Sequence, residues 1–259
     1  MSRTRTATRA LVVLLSGTFV QLSHAQALDD SNAPGWRFSV TPYFWMAGIK
    51  GDVGAYSNLP PSSIDVAFGD IFNHLDGPSA FVSGEAWNGR FGMVGDVQYL
   101  TLKADASTPG PLYGSATLKQ WNFNSTITGA YRVFDSPALS IEALVGSRIF
   151  HIDNRIDLSG AILPPRSNDI GDTWATAVAG GRLTVPLPNG FLFGAYADLG
   201  GFGISSDWTW QVYGGLGYRV KTWLSAYAGY RYLDVRHRNG GFLYDVSQQG
   251  PLLSLRFSF

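Results

Sequence analysis

From Trp36 to its last residue the chain alternates apolar and polar positions with a period of two, interrupted at intervals by turn-forming residues. Trp36, Phe38, Val40, Pro42, Phe44 and Met46 fall on one side of an extended segment, and Arg37, Ser39, Thr41, Tyr43 and Trp45 on the other. Successive side chains of a β-strand point to opposite faces, so this pattern predicts a strand with one oily face. The same rhythm predicts nine more strands, over 79–87, 90–103, 117–133, 139–152, 172–187, 191–202, 207–220, 223–236 and from beyond Gly241 to Phe259. Few stretches carry a helical period.

The connections are sorted by parity. Asn88-Gly89, Asp135 to Ala138, Pro188-Asn-Gly190 and Lys221-Thr222 are brief, and Asn-Gly is the strongest short hairpin signal. The alternate connections, 49–78, 105–116, 153–171, 203–206 and 237–242, are mostly longer. Outer-membrane barrels carry short periplasmic turns and longer external loops, whereas a soluble β-sandwich has no reason to sort its loops this way. The expected fold is therefore all-β, a transmembrane antiparallel up-and-down β-barrel of about ten strands, with eight and twelve still open. Both chain ends fall on the periplasmic side of such a barrel. The stretch 49–78 has room for a hairpin over Ser62 to Phe68 or a helical turn over Asp70 to Leu75.

Assigning faces sends one set of charges inward. By alternation Glu85, Asp96, Glu142, Arg148, Arg182, Asp198, Arg219, Arg231 and Arg256 point to the barrel interior, with Asn122, Asn124, Thr126, Thr128 and Arg132. An arginine on the lipid face near the midplane costs about 2–4 kcal/mol, while mixed charges enclosed together can pair. Four acids against five arginines predict a polar, side-chain-filled interior, since eight to ten strands leave little more room than side chains fill. Aromatic residues gather near strand ends: Trp36, Trp87, Phe91, Tyr218, Trp223 and Phe259 on the periplasmic side, Tyr99, Trp174, Trp208, Trp210, Tyr232 and Tyr244 on the other. They read as two headgroup-level girdles. Glycines inside strands, such as Gly92, Gly146 and Gly217, predict bends and bulges.

Composition narrows the compartment. Arg3, Arg5 and Arg9, the apolar run Ala10 to Val20 and Ser23-His24-Ala25 have the layout of a secretory signal peptide over residues 1–25. That run is too short for a spanning helix, which needs about 20 apolar residues. A single barrel domain would follow over 26–259. Loss of three arginines from 19 basic residues leaves 16 against 19 acidic ones, a charge that does not suit a nucleic-acid partner. Cysteine is absent, so neither disulfides nor thiolate metal sites can hold the fold.

Candidate chemistry is sparse. His151, Asp153 and Asp157 alternate along one face of a strand extended above the membrane and form the nearest approach to an acid–base or metal constellation. The spacing fits no calcium loop. His74 and His237 are expected in or near external loops. The Gly214-Gly-Leu-Gly217 stretch lies mid-strand with no helix after it, so it is no phosphate loop. Gly-x-Ser-x-Gly and His-Glu-x-x-His are both missing. No catalytic residue, cofactor or metal is expected.

Several segments in order carry a resemblance: Gly200-Gly-Phe-Gly203, Ser206-Asp-Trp-Thr-Trp-Gln211, Gly215-Leu-Gly-Tyr-Arg219, Gly229-Tyr-Arg-Tyr-Leu-Asp234, Phe242-Leu-Tyr-Asp245 and Gly250-Pro-Leu-Leu253, with Thr41-Pro-Tyr-Phe-Trp45 and Gly48-Ile-Lys-Gly-Asp52 near the start. Together they resemble an uncharacterised family of proteobacterial outer-membrane β-barrel proteins, and more loosely the small barrels of the OmpA and OmpW type. The resemblance implies a monomer inserted by the outer-membrane barrel-assembly machinery, which recognises a last strand ending in an aromatic, here Phe259. It implies surroundings of outer-membrane lipid and lipopolysaccharide, and it brings no catalytic residues. The expected function is structural or surface-interacting. The alternative is a narrow, porin-like diffusion channel for small or hydrophobic molecules; a lipid-modifying enzyme is a third.

Overall fold

The computed structural model describes residues 35–54, 62–77, 79–107, 113–160, 162–203 and 208–259. The expected signal peptide lies outside these residues. Twelve strands and a short helix follow in order: β1 (Trp36–Trp45), β2 (Gly48–Gly54), β3 (Ser62–Val66), α1 (Phe68–Asn73), β4 (Ala80–Asn88), β5 (Phe91–Ser107), β6 (Tyr113–Ser136), β7 (Leu139–Gly160), β8 (Arg166–Pro186), β9 (Phe191–Gly200), β10 (Trp208–Lys221), β11 (Leu224–Asn239) and β12 (Phe242–Ser258). Every ladder is antiparallel, and β1 pairs with β12 from Ser39↔Ser258 to Trp45↔Leu252, which closes the sheet. Ten strands, β1 and β4 to β12, make the barrel. The β2–β3 hairpin adds to the upper half of β12 above the point where β1 ends. The stretch 49–78 thus holds both a hairpin and a helical turn.

Strand length corrects the loop assignment. β6, β7 and β8 run for 24, 22 and 21 residues, about twice the 9–11 that cross a bilayer. Most of 105–116 and 153–171, read from sequence as loops, is ladder: β5 pairs with β6 up to Ser107↔Ser115, and β7 with β8 up to Leu158↔Arg166.

The reason those stretches read as loops is a reversal of polarity along each strand. In the lower part of β7 the outer face is Ile141, Ala143, Val145 and Ile149, and the inner face holds Glu142 and Arg148. Above, the outer face becomes His151, Asp153, Arg155 and Asp157 while Phe150 and Ile152 are buried within. β11 turns over at the same height, with Tyr230 outside below and Arg236 and Arg238 outside above, opposite buried Leu233 and Val235. Lipid demands oily flanks, water demands polar ones, and each enclosed side takes the complement. The turnover therefore marks the outer surface of the hydrocarbon layer. The Trp210 and Tyr232 rings meet there, tilted, with centroids 4.8 Å apart on the outer face, as girdle residues should.

Three expected girdle residues face inward instead. Trp87, Trp174 and Tyr244 are buried in the lumen. Two of the interior glycines make room for rings: a Cβ on Gly92 would sit 2.5 Å from the Trp87 indole, and one on Gly217 would sit 2.3 Å from the Tyr227 ring, whereas Gly146 lies against the Ile127 carbonyl of the neighbouring strand. Register shifts are confined to strand ends, at Tyr113/Ser115, Arg132/Phe134 and Arg219/Lys221.

Candidate functional site: the filled lumen and its extracellular cap

Alternation along the ten strands delivers a stack of three layers inside the barrel. The lowest surrounds Glu85 on β4. Arg182 of β8 grips it with two bonds, Nη1 to Oε1 at 2.6 Å and Nη2 to Oε2 at 2.9 Å, and donates Nε to Glu142 at 2.5 Å. Arg256 adds a bond to Glu85 at 3.2 Å and the Trp87 indole N–H another at 2.8 Å. The Arg132 guanidinium lies 4.3 Å over the Trp87 ring and 3.6 Å from Glu142. Two-bonded arginine–carboxylate pairs combine strength with fixed geometry.

The middle layer crosses the lumen from wall to wall. Asp96 on β5 accepts from Tyr43 of β1 at 2.8 Å and from Gln98 at 2.9 Å, and pairs with Arg231 of β11 at 3.4 Å. Arg231 in turn donates to Gln211 of β10 at 2.7 Å, and Gln211 donates to Asp198 of β9 at 2.6 Å. Asp198 also receives the Tyr196 hydroxyl and, at 2.5 Å, the Arg148 guanidinium. Arg148 closes the row by donating to Thr126 of β6 at 3.0 Å and Thr209 at 3.3 Å. Its side chain has 0% exposure. A buried ion pair repays its desolvation only with good geometry and additional hydrogen bonds; three donors converge on Asp198 Oδ2, while its buried Oδ1 has no hydrogen-bond partner among the described residues.

Above lies an apolar cap of Trp45, Phe150, Ile152, Trp174, Leu233, Val235, Tyr244, Val246 and Leu252. It is the inner half of the polarity reversal, a core of the water-soluble type that begins at Trp45 and Leu252, just inside the hydrocarbon surface, and continues above it. Arg231 touches both layers, its guanidinium 4.9 Å from the Trp45 ring.

Of the nine charges assigned inward from sequence, eight lie in the two polar layers. Arg219 does not join them: it is half-buried near the periplasmic end of β10 and forms no ion pair among the described residues. Tyr43, Gln98, Tyr196 and Gln211, which link the charges, were not singled out from sequence; the signal was their place on the same face as the charged residues. His237, expected near a loop, is a buried residue of β11. β9 ends at Gly200 while β8 continues upward to Arg166, and above that point β8 and β11 meet through side chains. His237 Nε2 meets Asp172 of β8 there at 2.9 Å, Asn239 reaches the same oxygen at 3.0 Å, and the His237 ring stacks on Trp174 at 4.0 Å.

His151, Asp153 and Asp157 share the outer, water-facing side of β7 and do not converge. His151 Nδ1 engages Thr173 at 2.6 Å, while Asp157 takes Arg155 at 3.0 Å and Ser167 at 2.6 Å. Those two donors hold the Asp157 carboxyl below the ordinary carboxylate range. No group of three metal-ligating side chains occurs among the described residues.

A closed antiparallel barrel of ten strands with an oily waist and enclosed charges is the architecture of outer-membrane β-barrels. Among solved structures the chain is similar to the outer membrane protease OmpT from Escherichia coli, at 9% identity and TM-score 0.53, over 88% of this chain and 98% of that one. It is also similar to the translocator domain of the autotransporter NalP from Neisseria meningitidis, at 14% identity and TM-score 0.50, over 89% and 90%. Ail, the attachment invasion locus protein of Yersinia pestis, aligns at 13% identity and TM-score 0.36, over 87% and 99%. At such identities the first two share the fold alone. No family model and no curated protein sequence matches the chain.

Proposed function

We propose that the chain is a non-catalytic, monomeric barrel of the bacterial outer membrane, set among lipid and lipopolysaccharide and closed to ions along its axis, with its extracellular extension as the working surface. The wall-to-wall polar layer carries the reading. An ion moving down the axis must displace Arg148, which has 0% exposure and three hydrogen-bonding or ionic partners, Thr126, Thr209 and Asp198. Removing one partner of a buried pair costs about 3–5 kcal/mol, so thermal opening of this layer is rare.

The extension supports the second half of the reading. Strands carried well past the hydrocarbon present rows of alternating charge to water, among them Arg236 beside Asp245 at 3.3 Å and Lys50 beside Asp65 at 3.1 Å. External surfaces on a rigid scaffold are where barrels hold variable recognition. Purified protein in a planar bilayer tests axial closure. The expected record in molar potassium chloride is flat, and stepwise single-channel currents overturn the proposal.

A second reading, from the diffusion-channel alternative, is a route for apolar molecules that avoids the charged layers. A break in the barrel wall favours it.

A further inference from the structure

The ladder between β1 and β4 runs from Trp36↔Asn88 to Pro42↔Val82 and stops, although both strands continue. β1 stays with β12 as far as Trp45↔Leu252, and β4 stays with β5 as far as Ala80↔Tyr99. Higher up, one side of the parting is β3, which pairs with β2 alone. The other side is the segment 74–76, bound to β5 through Lys103 N–H to the His74 carbonyl at 2.8 Å and Asp76 N–H to the Thr101 carbonyl at 3.0 Å. No strand pairing joins β3 to that segment among the described residues. The parting opens below the hydrocarbon surface, because Phe44 still presents its ring to lipid beside Leu253.

α1 covers the parting from outside. Phe68 and Phe72 lie 5.7 and 6.3 Å from the Phe44 ring and 5.9 Å from each other, and Ile71 is buried beneath. The cover is six residues long and its N-terminus has no side-chain cap. A helix this short has no stability of its own and depends on such ring contacts. Inside the parting Tyr43 meets Phe81 at 5.7 Å, and the apolar cap begins at Trp45. The Asp96–Arg231 layer lies directly below, tied to the Tyr43 hydroxyl.

We infer that this parting is a lateral portal, with α1 as its cover, through which uncharged apolar molecules of slender or aromatic shape pass between the extracellular cap and the outer leaflet. Such a molecule meets oily side chains on both sides of the wall and never crosses an ionised layer. Charged and strongly hydrated solutes are excluded by the same surfaces, since an unpaired polar group costs several kcal/mol in that setting. The inference deepens the apolar-route alternative, and it uses axial closure only to separate the cap from the periplasm.

The chain has no cysteine, so a thiol pair can be placed cleanly. Phe44→Cys/Phe72→Cys, joined by a reducible bismaleimide, ties the cover to β1 in Gram-negative cells expressing the full chain. The probe is N-phenyl-1-naphthylamine, whose fluorescence rises on entering the membrane. Wild-type protein is expected to raise the initial rate several-fold over empty vector, the crosslinked variant to fall to the vector's rate, and reductant to restore it. Equal rates before and after crosslinking, or a wild-type rate no higher than the vector's, overturn the portal. Should the cysteine pair fail to assemble, Phe68→Ala/Phe72→Ala loosens the cover without touching a barrel strand and must raise the rate; an unchanged rate also overturns it. Ion currents in the bilayer experiment would sink axial closure while leaving these rates as they are, so the two failures are distinguishable.

Discussion

Arg148 of β7 and Asp198 of β9 meet at 2.5 Å across the intervening β8, both buried from solvent. The contact is a consequence of alternation. Each residue is on the inward face of its strand, and in a ten-stranded barrel inward side chains from next-nearest strands converge.

Substituting Arg148 by Met should therefore lower stability by about 3–5 kcal/mol, because Asp198 would remain buried with hydroxyl and amide donors but no cation. Arg148→Met/Asp198→Leu should recover most of that loss, since apolar replacement of a whole buried pair is often neutral. Urea titration of protein folded in lipid vesicles measures both. Equal destabilisation in the single and double variants would show that the pair's charge is not what matters.

The Asp172–His237 contact predicts an acid-sensitive extension. Partial burial pushes the Asp172 carboxyl up, but hydrogen bonds from His237, Asn239 and the Thr173 amide outweigh it and hold it below its ordinary value. A depressed folded value contributes stability that is present above the unfolded pKa, about 3.9, and is lost as pH falls through the folded one. Proteolysis of the extension should therefore accelerate below about pH 4. Asp172→Asn should be more susceptible at neutral pH and show less further change on acidification. An identical pH profile for the two proteins would remove the contact from the account.

Phe259 separates folding from delivery. The residue is 72% exposed, while its amide and carbonyl both bond to Phe38, at 2.9 and 3.0 Å. Phe259→Ala keeps those main-chain bonds, so the purified, refolded variant should match wild type within about 0.5 kcal/mol. Its yield in the outer membrane of living cells should nonetheless fall several-fold if the assembly machinery reads the terminal aromatic. Unchanged yield in cells would mean that the ring is not read.

The ladder was legible in the sequence because a period of two is written directly in residue order, and turns such as Asn88-Gly89 punctuate it. The inward arginines were legible because lipid excludes them from the other face. Trp87, Trp174 and Tyr244 were not, for an aromatic near a strand end suits a headgroup girdle and an apolar cap equally well. Only parity combined with the height of the polarity reversal separates the two. That same reversal made 153–160 look like a loop, since Asp153, Arg155 and Asp157 face outward where lower residues of that parity are oily. His237 and Asp172 are far apart in sequence, and nothing local marks them as partners. The parting between β1 and β4 depends on where two ladders end, which no single strand's pattern contains.

The reversal itself can be tested on one strand. Val145 and His151 lie on the same outer face of β7, one below the turnover and one above it. If the hydrocarbon ends between Ile149 and His151, an arginine at the lower position must sit in lipid and one at the upper position in water. Val145→Arg should then cost about 2–4 kcal/mol in vesicle-folded protein. His151→Arg should change stability by no more than about 0.5 kcal/mol, as surface substitutions do, the Thr173 contact being exposed. Comparable costs at both sites would place the membrane boundary elsewhere, and with it the portal's opening onto the outer leaflet.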